Sequence, residues 1–157
     1  MKKLLLCVLL IGGCFFYQNS AKAQVSVNIN IGTQPAWGPT GYDYVQYYYL
    51  PDINVYYNVS KHMFIYLSNG RWLSGRNLPT RYNNYDLYNS YKVVVNRSRP
   101  YRNNDQDKRM YEKYKGGNHN QEVIRDAHDK KYFVNKENKY HSQSPNAKEQ
   151  RDDRHHH

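Results

Sequence analysis

Beyond Cys14 the chain has no cysteine, and its two cysteines, Cys7 and Cys14, both fall within the first 23 residues. A product that starts beyond them has no disulfide, no thiolate zinc site and no cysteine nucleophile. A small exported domain of that kind is held by packing alone. Aliphatic side chains are also scarce, while the formal charge is +10. Spread evenly, that combination leans toward partial disorder. Acidic residues are nearly missing from one half. Positions 24–100 hold seven basic and three acidic residues, and positions 101–157 hold thirteen and ten. The composition therefore breaks near Pro100. The chain also lacks a convincing membrane span. Its one long apolar run, LLLCVLLIGGCFFY, is interrupted by Gly12 and Gly13 and is short against the roughly 20 residues a span needs.

That run fits a secretory leader. Lys2 and Lys3 give a positive start, the apolar stretch follows, and Ala21 and Ala23 supply small residues at the −3 and −1 positions. The expectation is export with cleavage before Gln24, which removes Lys2, Lys3 and Lys22 and leaves a mature charge of +7. A competing pattern, LLIGGC ending at Cys14, reads as a lipoprotein box that would tether the product to a membrane. Phe15, Phe16 and Tyr17 continue the apolar run past Cys14 and favour the later cleavage. The organisation read from the sequence is a signal peptide at 1–23, a tyrosine-rich β-domain at 24–100 and a charged tail of low order at 101–157.

Tyrosine is what the chain has in quantity. It has 18 in all, twelve of them between Tyr42 and Tyr91. The fold class expected is mostly β, a small antiparallel sheet of about five strands followed by a charged, partly helical or disordered tail. Val25–Ile31 alternates apolar and polar residues as a half-buried strand does. Tyr44–Leu50, Ile53–Val59, Met63–Leu67 and Tyr91–Asn96 are further strand candidates. Asn69-Gly70 suits a two-residue type I′ hairpin. It sets Ser68 against Arg71, Leu67 against Trp72 and Tyr66 against Leu73. Ile65, Leu67 and Trp72 then share one face of the sheet, and Phe64, Tyr66 and Leu73 the other. Tyr82, Tyr85 and Tyr88 recur at steps of three, so a short helix or 3₁₀ turn would place them on one side. In the tail, RNNDQDKRMYEKYK and NQEVIRDAHDKKYFV read as helical segments with too few apolar residues for a core of their own.

One run, YYYLPDINVYYNVSKHMFIYLSNGRWLSGRNLP, resembles a module of small exported proteins from Gram-negative, Bacteroidetes-like bacteria. The elements that carry the resemblance are Tyr47 to Tyr49, Pro51, Val55 to Tyr57, Phe64 with Tyr66, Gly70, Trp72 and Leu78-Pro79. The later YKVVVN and the Arg99 to Tyr101 triplet also belong to it. The resemblance covers residues 25 to about 101. That family has no agreed activity, so the resemblance implies a β-fold and an exported location and nothing about chemistry. The tail is where this chain departs from it.

The inventory for catalysis is thin. The β-domain offers one histidine, His62, and three acids, Asp43, Asp52 and Asp86. A hydrolase needs a nucleophile, a base and an orienting group in mutual reach. The expectation is a non-enzyme, with an enzyme acting on a cell-envelope polymer as the rival. No cofactor is implied. His155, His156 and His157, with His119, His128 and His141 upstream, are weak metal candidates, because no H-x-x-x-H or H-E-x-x-H spacing occurs. Basic charge with aromatic rings also suits single-stranded nucleic acid, but an exported protein meets other polyanions. Anionic envelope polymers and lipid headgroups are the partners expected. Trp37, Tyr47, Tyr49, Tyr57 and Trp72 are the candidate binding rings. A single small module buries only about 60% of its unfolded surface, so twelve tyrosines cannot all be internal.

Overall fold

Asn69 and Gly70 both adopt left-handed backbone conformations, with φ of 49° and 72°, as a type I′ turn requires. The hairpin they close has the expected register, Ser68 opposite Arg71, Leu67 opposite Trp72 and Tyr66 opposite Leu73. The computed structural model describes residues 29–145 and 147. Within them the strands are β1 (Tyr47–Leu50), β2 (Val55–Asn58), β3 (Met63–Ser68), β4 (Arg71–Gly75) and β5 (Val93–Val95). They form one antiparallel sheet in the order β4-β3-β2-β1-β5. One short helix, α1 (Asn104–Tyr111), follows. The chain is mostly β with little helix among its described residues, as its composition implies.

Both faces of the sheet are covered, but unequally. On the first face Tyr48, Leu50, Val55, Tyr57 and Phe64 pack with Trp37, Val45 and Val59. The connection between β4 and β5 closes over them with Leu78, Tyr82, Tyr85, Leu87 and Tyr88. The step-of-three tyrosines do fall on one side, and the segment holds a 3₁₀ turn at Thr80–Tyr82. Trp37 meets Tyr57 edge-on, with ring centroids 4.9 Å apart. Gly38 is required beside it, because a Cβ there would lie 2.6 Å from Tyr48 Oη.

The second face carries Tyr49, Tyr56 and Val95, with Ile65, Trp72 and Tyr111 packed around them. α1 lies over Tyr49 and Tyr56 and is seated by a buried polar network. Tyr56 Oη donates to Asp107 Oδ2 at 2.6 Å, and Arg97 forms an ion pair with the same oxygen. Asn104 donates to Tyr56 Oη at 3.1 Å and to Asn54 Oδ1 at 2.6 Å. Tyr49 Oη donates to that Asn54 oxygen at 3.0 Å. Asp107 is only 2% exposed, so its charge depends on these partners.

Two expectations meet a different outcome. The strand read at Val25–Ile31 has Val25 to Asn28 outside the described residues, and the remainder is not strand. Ile31–Thr33 forms a 3₁₀ turn. Asn30 turns its side chain onto the backbone of Val45 instead, accepting from the nitrogen at 2.9 Å and donating to the carbonyl at 2.7 Å. A short amide side chain can replace a ladder in this way.

The stretch after Pro100 is partly helical, as expected, but residues 101–145 are neither loose nor separate. Pro39 bridges Val123, Ile124 N donates to Gly38 O and Arg125 N to Ala36 O, each at 2.8 Å. Ile124 and Tyr132 are buried with Ile31 in a small second core. The segment has too few apolar residues for a core of its own, so it shares one. Between Asp129 and Ser144 it is not helical in the α sense. From Asp129 to Ser144, N–H groups at 132, 135, 138, 141 and 144 each donate to the carbonyl three residues back. Asp129, Asn135 and Asn138 side chains accept from the backbone two residues on, at 3.1, 3.1 and 2.8 Å. Repeated Asx-type turns produce this staircase.

Replacing Asp107 with alanine strands the Tyr56 hydroxyl and Arg97, and is expected to cost about 2–3 kcal/mol. Asp107→Asn keeps an acceptor and is expected to cost less. Urea unfolding of both variants measures the difference, and equal costs would mean the network does not seat α1.

Candidate functional site

α1 covers only half of the second face. The uncovered half runs across the strands. Tyr47, Asn58 and Met63 stand in one cross-strand row, and Ile65 with Ser74 in the next. Trp72, opposite Leu67, completes the floor. Together they make a groove of about 460 Å³, walled by Lys61, Arg99 and Tyr101. A second groove of about 490 Å³ lies on the other side of Trp72 and Tyr101, lined by Leu67, Arg102, Asn103, Asp105 and Gln106. The two rings form the ridge shared by both, with centroids 5.7 Å apart at 39°.

Local structure positions each wall. Asn58 Oδ1 accepts from Lys61 N at 2.9 Å and Ser60 Oγ at 3.0 Å, which folds the β2–β3 connection so that Lys61 reaches the groove. Arg99 adopts a left-handed conformation, φ 48°, uncommon for a residue that is not glycine or asparagine. Pro100 then starts a 3₁₀ turn through Asn103 that carries Tyr101 over Trp72. Trp72 is further held by Tyr56, with centroids 5.7 Å apart at 62°. The first groove contains two cations and no acid in its lining. The arrangement can stack flat rings and attract anionic groups. It has no nucleophile with a base beside it.

Of the five rings expected at a binding surface, the structure places Tyr47 and Trp72 in the groove and the other three in the core. Tyr49 is 1% exposed and lies under α1. Tyr57 and Trp37 are on the opposite face, 7% and 8% exposed, packed on one another. Strand parity is the cause. Tyr57 points away from Asn58, and Tyr49 shares the face of Tyr47 but falls beneath the helix. Sequence reasoning missed Lys61, Asn58, Arg99 and Tyr101. The Arg99–Pro100–Tyr101 triplet was visible as part of the family-like pattern, but its docking onto Trp72 is a long-range contact.

The candidates for catalysis are dispersed. Tyr57 Oη lies 3.3 Å from His62 Nδ1. Asp43 accepts from Lys131 at 2.9 Å. Asp52 accepts from Tyr85 Oη at 3.0 Å and from Gly116 N at 2.8 Å. Asp86 accepts from the backbone of Tyr88 at 2.8 Å. Among the described residues no three of His, Cys, Asp and Glu gather where they could hold a metal. His119 stands edge-on to the stacked pair Tyr91 and Tyr114, and His141 Nδ1 donates to Phe133 O at 2.7 Å. His155, His156 and His157 lie outside the described residues, as do Cys7, Cys14 and the expected cleavage position. No described helix is long and apolar enough to cross a membrane. Comparison with protein-family models, with curated proteins and with solved structures finds no match to this chain.

Burial favours the protonated form of the core phenols. Burial pushes Tyr48, Tyr49 and Tyr85 above the ordinary value of 10.0. For Tyr56 burial acts first and its bond to Asp107 adds to it. Lys92 is shifted the other way. It is 1% exposed, its ammonium donates to Leu87 O at 2.8 Å and Ser90 O at 2.7 Å, and burial lowers its pKa to about 8.

The signs of these shifts predict the alkaline stability profile. Between pH about 8 and 10.5 the unfolded chain holds the Lys92 proton and the folded chain does not. Lys92 alone therefore makes stability rise with pH there, by up to about 3 kcal/mol. Above pH 10 the buried phenols reverse this, because the unfolded chain loses protons that the folded chain keeps. Several phenols outweigh one ammonium, so stability is expected to peak between about pH 9 and 10 and then fall steeply. Urea unfolding from pH 7 to 11 measures the profile, and Lys92→Met is expected to abolish the rise while leaving the fall.

Proposed function

We propose that this is an exported bacterial envelope protein that makes non-catalytic contacts with anionic envelope components through the groove beside α1. The single observation that carries the reading is the groove itself. Trp72, Tyr101 and Tyr47 offer ring surfaces, Lys61 and Arg99 offer positive charge, and no acid in the lining opposes them. The leader pattern from Lys2 to Ala23 supports the location. So does the resemblance of the tyrosine module to small exported proteins. The commitment of Asp43, Asp52 and Asp86 to structural partners supports a role without bond chemistry. A mature charge of +7 favours polyanions generally, and the groove concentrates that preference beside aromatic rings.

Two measurements test the proposal. Fractionation of cells expressing the full chain, followed by N-terminal sequencing, is expected to find the product in the envelope or medium, starting at Gln24. A cytosolic product that keeps Met1 would remove the proposal, and lipid on Cys14 would replace release by a tether. On a sulfated-polymer column, Lys61→Ala/Arg99→Ala is expected to elute at clearly lower salt than Lys108→Ala/Arg109→Ala, which removes the same charge from α1. Co-elution of the two double variants would show that net charge alone is at work.

A further inference from the structure

We infer that the groove is a binding site for a linear acidic glycan, whose sugar rings lie on Trp72 and Tyr101 and whose anionic groups meet Arg99 and Lys61. This rests on the proposed role of the groove and narrows its ligand to one chemical class. Four features carry it.

The first is the shape. Two grooves of about 460 and 490 Å³ meet at one aromatic ridge, which gives a trough suited to a chain of several units. A compact solute would fill one side only.

The second is the ridge. Trp72 is gripped by Tyr56 from the sheet and by Tyr101 from the turn before α1. Its indole is therefore held in place before a ligand arrives, which lowers the ordering cost of binding. Aromatic rings of this kind present one broad apolar surface with a polar tip, which matches a pyranose with its C–H face and rim of hydroxyls. Asn58 and Ser74 add polar groups to the floor. Asn58 Oδ1 is already used by Ser60 and Lys61, so its amide nitrogen remains as the donor.

The third is the distribution of charge. Lys61 and Arg99 line the first groove and Arg102 the second, where Asp105 is the single acid. Cations on both sides of the ridge suit charges repeated along a polymer. A guanidinium pairs with a planar carboxylate in a forked geometry.

The fourth separates a glycan from a lipid surface. These exposed cations flank an aromatic ridge that a sugar ring can stack on, whereas a headgroup array would use the charges and leave the ridge idle. The large apolar side chains exposed there, Leu67 and Leu73, belong to opposite faces of the sheet and form no continuous apolar patch. α1 exposes Met110 as its one large apolar side chain, and a helix that lies in a membrane surface needs a full apolar face.

The test is a fluorescence titration of the protein recovered from cells expressing the full chain. Trp72 lines the trough and responds, whereas Trp37 is buried on the opposite face. The probes are oligogalacturonate, neutral dextran of similar length, and phosphatidylglycerol vesicles. Oligogalacturonate is expected to give a saturable change that dextran does not, weakened by salt. Tyr101→Ala and Arg99→Gly, which both keep the Trp72 reporter, are each expected to weaken it about tenfold or more, the scale of one lost charged or stacked contact. Arg99→Gly keeps the fold testable, because glycine adopts the left-handed conformation freely, and its thermal melt should match the wild type. No response to oligogalacturonate, or equal binding of dextran, overturns the glycan assignment. If the vesicles bind and the same variants abolish it, the glycan assignment fails while the groove keeps its proposed role. If no probe is sensitive to either variant, both fail.

Discussion

Asp107 accepts from a phenol on the central strand and from the guanidinium of Arg97, and it does so with 2% of its surface exposed. A buried carboxylate is costly unless its partners are in place, so this contact specifies where α1 can sit. Little else could. The helix contributes Tyr111 to the ring cluster and leaves Met110 51% exposed, so it has no apolar stripe broad enough to select one seat. Asn104 and Asn54 extend the same network to Tyr56 and Tyr49. A helix fixed by polar groups over β1 and β2 stops short of β4. The groove exists because of that stop, and Tyr101 walls it because the turn that delivers α1 also delivers the phenol.

The same substitution of polar bonding for apolar area recurs through the chain. Side-chain amides act as backbone. Asn96 accepts from Gln46 N at 2.8 Å and donates to Tyr44 O. Gln121 accepts from Lys92 N and donates to Lys92 O, each at 2.9 Å. Asn135 donates to Ile31 O and Gln34 O, and Asn138 to Ile124 O and Ala127 O. Each bond is worth only about 1 kcal/mol net. Their larger effect is that irregular segments can be buried without orphaned backbone groups. A chain short of aliphatic residues and without a usable cysteine after Cys14 reaches a fixed structure by this route.

What was legible in the sequence was whatever neighbouring residues decide. Asn69-Gly70 gave the hairpin and its register, and from the register came the shared face of Ile65 and Trp72. The aromatic runs gave the strands, and the step-of-three tyrosines gave one covered side. Segments whose partners are distant in sequence were not legible. Residues 101–145 carry mixed charge and few apolar groups, which describes a solvated tail until Ile124, Tyr132 and the amides find Ile31 and Gly38 across about 90 residues of chain. The staircase did leave a local mark. Asp129, Asn135, Asn138 and Ser144 fall on a period of three, which suits successive turns better than an α-helix. For the binding rings, strand parity could separate Tyr57 from Tyr47, but only the docking of α1 separates Tyr49 from Tyr47.

The tyrosines themselves distinguish core from surface by what their hydroxyls do. Tyr48 donates to Gln34, Tyr49 to Asn54, Tyr56 to Asp107 and Tyr85 to Asp52, while Tyr132 accepts from Gly41 N. Each of these phenols brings apolar area and then spends its polar end inside the protein. The groove phenols, Tyr47 and Tyr101, make no such bond to a described residue and face a trough lined with cations. One residue type thus serves two purposes, and the criterion that sorts them is physical. A ring whose hydroxyl is satisfied internally is structure, whereas a half-buried ring whose hydroxyl is left to solvent is held in position with an unused donor. In this fold the groove phenols, the indole of Trp72 and the guanidinium of Arg99 come together along one ridge. That coincidence, more than the number of tyrosines, makes the groove a site.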